Sequence, residues 1–524
     1  MDNRIYMDKN KGLLPVFISA LFATLIFHKQ GSGLNVLVFE LVTFLYLLAT
    51  KQFSFKGRNM ITVSVALVFT AVAFVFVNFS IYGFIVNLLV FTLFIGMVAY
   101  PQAKSLLTTL GISIVNVIDG QREFFSKLAN PQAGSKGFRR RIRRLAIFFV
   151  PLLIIFVFIF IYSASNPVFD ELVQKVADFI DKNILYIFQD LDFMMIFTFL
   201  LYVFVSNFIY LRTAIVSLVN KDANETDELR RVKVKQYNQY GKVIAKPSGL
   251  KNEYRAGVFL LVVLNALILL LNIIDVNWVW FNFSWEGQYL KQFVHEGTYM
   301  LIISILISIA LVLYYFRNNL NFYSKNKVLK YLSYAWLAQN AVLAISVCVR
   351  NYRYVEYFSL AYKRIGVFIF LLLTLYGLYT VFIKVKDKRS SFYLFRVNAY
   401  AVLVVLVVTS LFNWDVIIAK YNFAHADRSY LHLDFMSELS DKALPYLDKP
   451  LAEVEKIKLA QQDDFEFDSG SSRLSRGYSY MTPEAYCDMI AYRKTQFIID
   501  WEQKSIWEWN WPEYKAYQEL KVKN

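Results

Sequence analysis

Residues 256–275 read AGVFLLVVLNALILLLNIID, an apolar run interrupted only by Asn265, Asn272 and the closing Asp275. A helix rises 1.5 Å per residue, so a run of about 20 crosses a hydrocarbon core of roughly 30 Å while satisfying its own backbone where no water reaches. Working outward, stretches of the same character lie at 12–28, 34–50, 60–79, 81–100, 145–163, 193–211, 298–316, 329–349, 365–383 and 397–413. The expected fold is all-α: a polytopic membrane helix bundle of about eleven transmembrane helices with a small exported C-terminal helical domain.

Composition agrees. At 57% hydrophobic and 18% charged residues over 524 positions, the chain has too little polar surface for a water-soluble fold of that size. The net charge of +16 does not point to nucleic acid, because Lys and Arg sit in blocks between apolar stretches. With the N-terminus in the cytoplasm, the loops on that side hold most of them, which is the positive-inside pattern and sets the orientation. An odd number of spans then exports the C-terminus. Beyond Asn413 the chain has 14 basic and 19 acidic residues, a net −5 that leaves +21 for the rest. This acidic region is expected to dock on the basic outer loop carrying Arg350, Arg353, Lys363 and Arg364. The basic start followed by an apolar run resembles a signal peptide, but no A-x-A site follows, so it reads as a retained first helix. Two cysteines, Cys348 and Cys487, are too few for a disulfide framework and leave one bridge open.

The expected organisation is a four-helix membrane segment (1–100), a cytoplasmic interfacial helix with an Arg cluster (101–144), and two spans flanking an amphipathic outer loop (145–211). A cytoplasmic polar loop (212–255), a five-helix membrane segment (256–413) and the exported helical domain (414–524) follow. Arg139, Arg140, Arg141, Arg143 and Arg144 suit an anionic-lipid anchor, although topology alone also explains them. In the last domain, Leu433, Met436, Leu439, Ala443 and Leu447 mark one helix, and Leu451, Val454 and Ile457 a second. Thr482 and Pro483 open a third as cap and first position. Trp507, Trp509 and Trp511 are spaced like an extended strip.

A polar side chain in a bilayer costs free energy, so each is a functional candidate. Glu40 stands first, since a carboxylate at that depth needs a partner, water or a proton. Asn35, Asn265, Gln339 and Asn340, with Asn272, Asp275 and Asn398, either surround it or join helices by hydrogen bonds. Asp275 and Arg396 sit near span ends, where snorkelling solvates them. On the outer face the candidates are His295, Glu296, Arg350, Arg353, Arg364, Asp415, His425 and His432. His425 and His432 lie close in sequence, yet no H-x-x-x-H or Cys partner supports a metal, and none is expected. No Walker loop, dinucleotide fingerprint, nucleophile elbow or zincin motif is present, and no cofactor is implied.

Six stretches carry a resemblance: NEYRAGVFLLVVLNALILLLNIIDV (252–276), HEGTYMLIISILISIALVLYYFRNNLNF (295–322), WLAQNAVLAISVCVRNYRYVEY (336–357), KRIGV (363–367), NWDVIIAKYN (413–422) and LSDKALPYL (439–447). With GLNVLVFEL (33–41), they resemble a bacterial family of multi-pass membrane proteins known under domain-of-unknown-function labels 4153 and 4173. The resemblance implies that Glu296, Arg317, Gln339, Asn340, Arg350, Asn351, Arg364, Asp415 and Asn422 belong to shared motifs, and it supplies no activity. The reading favoured is a non-enzymatic scaffold or sensor of the bacterial inner membrane, contacting lipid and an envelope protein partner. The alternatives are a transporter with a mid-membrane site at Glu40 and a membrane enzyme acting on lipid. Oligomeric state is not legible.

Overall fold

A computed structural model of the chain describes residues 4–5, 12–128, scattered positions from 155 to 166, 167–183, 192–231, 247–282, 298–317, 319–464 and 481–523. The expected span at 145–163 and the arginines 139–144 fall outside the described residues, apart from a few positions after 154, as do His295 and Glu296. The fold is helical; the sole strand pairing among the described residues joins Arg4–Ile5 to Ala214–Ile215. Six described helices are long and apolar enough to cross a membrane: Arg58–Phe76, Ile81–Ala99, Gly249–Phe281, Lys327–Phe358, Tyr362–Asp387 and Ser391–Ser410. Leu14–Phe27, Leu34–Ala49, Met194–Tyr210 and Tyr299–Tyr315 are shorter apolar helices. Many of their large side chains point outward, Leu25, Leu270 and Phe259 among them. An apolar surface of this extent calls for lipid rather than water as its solvent. The molecule is a membrane protein.

The chain divides into two compact units. The first takes residues 1–72, 87–223 and 505–509. Here α1 (Leu14–Phe27) and α2 (Leu34–Ala49) form a hairpin, followed by most of α3 (Arg58–Phe76) and α4 (Ile81–Ala99), then α5 (Leu106–Leu128), α6 (Pro167–Asn183), α7 (Phe193–Tyr210) and α8 (Val216–Asn224). Helix α5 turns Thr109, Ser113, Asn116 and Gln121 inward and leaves Leu107, Ile114 and Ile118 outward. Gln121 exchanges hydrogen bonds with α7, donating to the Phe204 carbonyl (3.0 Å) and accepting from Asn207 (2.8 Å). Small and polar residues therefore join these helices, as expected where lipid offers no hydrophobic drive between them. Asp222 of α8 is buried and accepts from the backbone of Lys104 and Ser105, so the start of the expected polar loop is packed. In α6, Val168, Leu172 and Val176 are exposed.

The second unit takes residues 73–86, 224–504 and 510–524. Its membrane part is α9 (Pro247–Asp275) running into a π-helical turn (Val276–Phe281), then α10 (Thr298–Tyr315), α11 (Lys327–Phe358), α12 (Tyr362–Asp387) and α13 (Ser391–Ser410). They share a core that includes Leu261, Ile305, Phe316, Leu343 and Leu378. Helices α11 and α12 run past the expected ends of their spans, so the outer loop expected around Arg350 shrinks to Ser359–Leu360–Ala361. Arg350 and Arg353 lie inside α11, where Arg350 pairs with Asp275 and Arg353 with Glu356.

The C-terminal region begins with α14 (Trp414–Ala424), a helix the apolar periodicity did not mark. The first expected helix is broken into α15 (Leu433–Ser437), a short 3-10 turn (Asp441–Ala443) and α16 (Leu444–Leu447), with Pro445 in the first turn of the last piece. Helix α17 (Leu451–Asp464) follows. In α18 (Pro483–Gln503), Thr482 accepts from Ala485 N at 3.2 Å, which is the expected cap. The tryptophan strip is not extended: Ile506–Glu508 is a 3-10 turn and Trp511 begins α19 (Trp511–Lys523). Cys348 and Cys487 are both free.

Candidate functional site

Between α11 and α12 the chain turns through three residues, and Ser359 holds φ +69° with ψ 179°, a backbone region costly to any residue but glycine. Its polar groups are matched one by one. The Asn422 side chain accepts from Leu360 N (2.7 Å) and donates to Leu360 O (3.0 Å), acting as a surrogate strand edge. Arg364 donates to the carbonyls of Phe358 and Ser359, and its guanidinium lies 4.6 Å from the Tyr354 ring centre. Asn351 donates to Arg364 O at 2.9 Å. The Ser359 hydroxyl meets Ser429 Oγ and Tyr430 O, each at 2.9 Å. A buried turn with open carbonyls would cost several kcal/mol, and this clamp removes the penalty.

The turn opens on a cavity of about 560 Å³ whose lining includes Tyr354, Phe358, Tyr362, Lys363, Arg364, His432, Phe435 and Glu438. Membrane helices supply one side of it and the C-terminal region the other. Beneath it, Asp415 receives the Lys442 ammonium at 2.7 Å and the Tyr362 hydroxyl, and Lys442 also donates to Phe79 O at 2.7 Å. Burial raises the Asp415 carboxyl, but the Lys442 charge and the hydrogen bonds from Lys442, Tyr362 and Ser440 outweigh it and hold the group below the usual carboxylate range.

Other candidates are distributed. Arg350 pairs with Asp275, which also receives Ser346, and both side chains are almost fully buried. Asp275 therefore does not snorkel; the Arg350 charge balances it inside the bundle. Nor is Arg396 free, since it pairs with Asp227 at 2.5 Å. The acidic C-terminal region meets the membrane helices through the hydrogen bonds of the clamp and through packing of Leu360 and Ile365 on its core. His425 stacks on Tyr421 (centroids 4.1 Å apart), while His432 lies against Tyr430 and Phe358. Among the described residues, no three His, Cys, Asp or Glu side chains gather as metal ligands.

Glu40 is buried in the first unit. Its Oε1 accepts from Asn87 Nδ2 at 2.7 Å, and Asn87 Oδ1 accepts from Thr70 at 3.0 Å. Its other oxygen has no partner among the described residues. Asn87 and Thr70 were not among the expected neighbours. Those amides are used elsewhere: Asn35 closes the α1–α2 turn, Asn265 and Asn272 donate to α11 backbone carbonyls, Gln339 donates to Asn265, and Asn340 to its own helix.

A family model described as domain of unknown function (DUF4153) matches residues 16–449. The chain belongs to the DUF4153 family. No curated protein and no solved structure matches it. The DUF4153 match takes in the cavity, the clamp, the Asp415–Lys442 pair and Glu40, and it stops just before α17. Asn351, Arg364 and Asn422, which the resemblance placed in shared motifs, converge on the clamp.

Proposed function

We propose that this DUF4153 protein is a non-enzymatic scaffold or sensor of the bacterial inner membrane. In this reading it crosses eleven times from a cytoplasmic N-terminus, carries its C-terminal region outside, and uses that region to report what occupies the cavity to an envelope protein partner. One observation carries the reading: the cavity is walled on one side by membrane helices and on the other by the C-terminal region, joined across the strained Ser359 turn. An occupant touching both walls changes how they pack, and such a coupling turns binding into a conformational signal. The concentration of Lys and Arg in the loops assigned to the cytoplasm supports the topology.

The test has two parts. In a cysteine-free background, Leu459→Cys, an exposed site on α17, should react with an impermeant maleimide in spheroplasts, and Lys388→Cys, just after α12, only after permeabilisation; the reverse pattern would sink the topology. Affinity purification from native membranes should then recover a stoichiometric protein partner. A transporter is the second reading, favoured by the unpaired oxygen of buried Glu40. Solute uptake abolished by Glu40→Gln in a normally folded protein, with no partner recovered, would replace the sensor by the transporter.

A further inference from the structure

Two charged side chains in the cavity are unengaged. Lys363 and Glu438 both line it, both are exposed, and neither forms an ion pair or hydrogen bond with a described residue, including each other. Arg364, by contrast, is held by the carbonyls of Phe358 and Ser359. The rest of the wall is largely aromatic and aliphatic, with Tyr354, Phe358, Phe435 and Val367. A simple anion entering here would meet the Glu438 carboxylate, and a simple cation would meet Lys363 and the Arg364 guanidinium. A wholly apolar molecule would strip water from both charges and return nothing. A molecule bearing one charge of each sign, attached to an apolar body, satisfies all the walls at once.

Position narrows the class further. On the membrane side the lining comes from the last turns of α11, the first turns of α12 and the start of α10, the ends of apolar helices, which in the proposed topology reach the headgroup layer. The volume falls in the usual range for small-molecule sites, about 300–1,000 Å³. We infer that the cavity binds a zwitterionic amphiphile of the phosphoethanolamine class, with Lys363 at its phosphate, Glu438 at its ammonium, and the aromatic wall against the ammonium methylenes and the chain that follows. This deepens the sensor reading and rests on its placement of the cavity at the membrane surface. The same headgroup chemistry is available from a bilayer lipid or from a soluble glycerophosphoester.

The full-length protein in mild detergent is titrated with dioctanoyl phosphatidylethanolamine, dioctanoyl phosphatidylglycerol and tailless glycerophosphoethanolamine, with binding read by thermophoresis. The ethanolamine lipid should bind roughly tenfold more tightly than the glycerol lipid, the value of one charge-assisted contact. Glu438→Gln should erase that preference, weakening the ethanolamine lipid and not the anionic glycerol lipid, which loses a like-charged neighbour, whereas Lys363→Gln should weaken both lipids about tenfold. Tailless headgroup binding as tightly as the lipid would support the same chemistry and assign it to a soluble source. Equal affinity for the two lipids in the unmodified protein, or variants that bind as it does, would overturn the proposal. Neither result touches maleimide labelling or partner recovery, so the sensor reading stands or falls separately. Both side chains are exposed and uncommitted, so the variants keep the fold.

Discussion

Asp415 accepts a cation, a phenol and a backbone N–H within one buried corner, and Lys442 returns a second bond to Phe79 O. Removing one member strands the other charge, so Asp415→Ala should destabilise the protein by about 3–5 kcal/mol. The double change Asp415→Asn with Lys442→Met should cost less than the two single changes together, as thermal unfolding in detergent would show. The pair also sets a pH dependence. The folded carboxyl titrates below its unfolded counterpart, so its stabilisation is present above about pH 4 and lost as pH falls through the lower folded value. Asp415→Asn should flatten that acid limb, and a limb unchanged in the variant would show that other carboxylates dominate. Single residues were legible in the sequence when rarity marked them. Glu40 stands out as an acid inside an apolar run, but Asn87 and Thr70 come from other helices, and spacing along one helix says nothing of what faces it across a bundle. Asp275 was misread for the same reason: its depth could be counted, its Arg350 partner could not.

The helices were legible because apolar length is a strong signal, and the Thr482–Pro483 start because cap chemistry is local. The ends of α11 and α12 were not, since basic residues look like a loop until each is seen with its acid or carbonyl. The break at Ser359 has no glycine or proline to announce it; it is held by Arg364 on the first turn of the next helix and by Asn422 from elsewhere in the chain. Another element without a sequence signal is the segment 505–509, which packs in the first unit on the α1–α2 turn. Leu34 N donates to Trp509 O at 3.0 Å, Gly31 N to the Glu508 carboxylate, and Ser505 to Gln30. Gly33 is what permits this approach, because a Cβ there would overlap the Glu508 backbone. Gly33→Ala should therefore expel the segment at a cost of about 1–3 kcal/mol, the worth of the bonds lost. A cysteine pair at positions 30 and 505 should cross-link efficiently in the parent and poorly beside Gly33→Ala. Equal cross-linking in both would mean the turn tolerates the methyl group.

The family match ends at residue 449, yet the hydrophobic core does not. Ile418, Leu431, Met436, Leu444 and Leu447 come from within the match, while Val454, Tyr486, Ile490, Phe497, Tyr517 and Leu520 come from beyond it, all in one cluster. Polar bonds cross the same boundary: Tyr486 donates to Leu447 O at 2.9 Å, and Arg493 reaches Leu439 O at 2.7 Å and Asp441 at 2.5 Å. Helices α17 to α19 are thus part of what makes α14 to α16 a folded structure, and α14 to α16 supply Asn422, His432 and Glu438 to the clamp and cavity. Each large apolar side chain removed from such a core forfeits about 1.5–3 kcal/mol, so losing six forfeits on the order of 10 kcal/mol or more. That is comparable to the whole stability of an ordinary domain, about 5–15 kcal/mol. A chain cut after residue 449 should then lose the C-terminal core and the cavity together. In detergent it should aggregate on size exclusion and expose sites within 414–447 to protease. A truncated protein that stays monodisperse, resists protease there and still binds the ethanolamine lipid would show instead that the family domain holds the cavity closed without the helices that follow it.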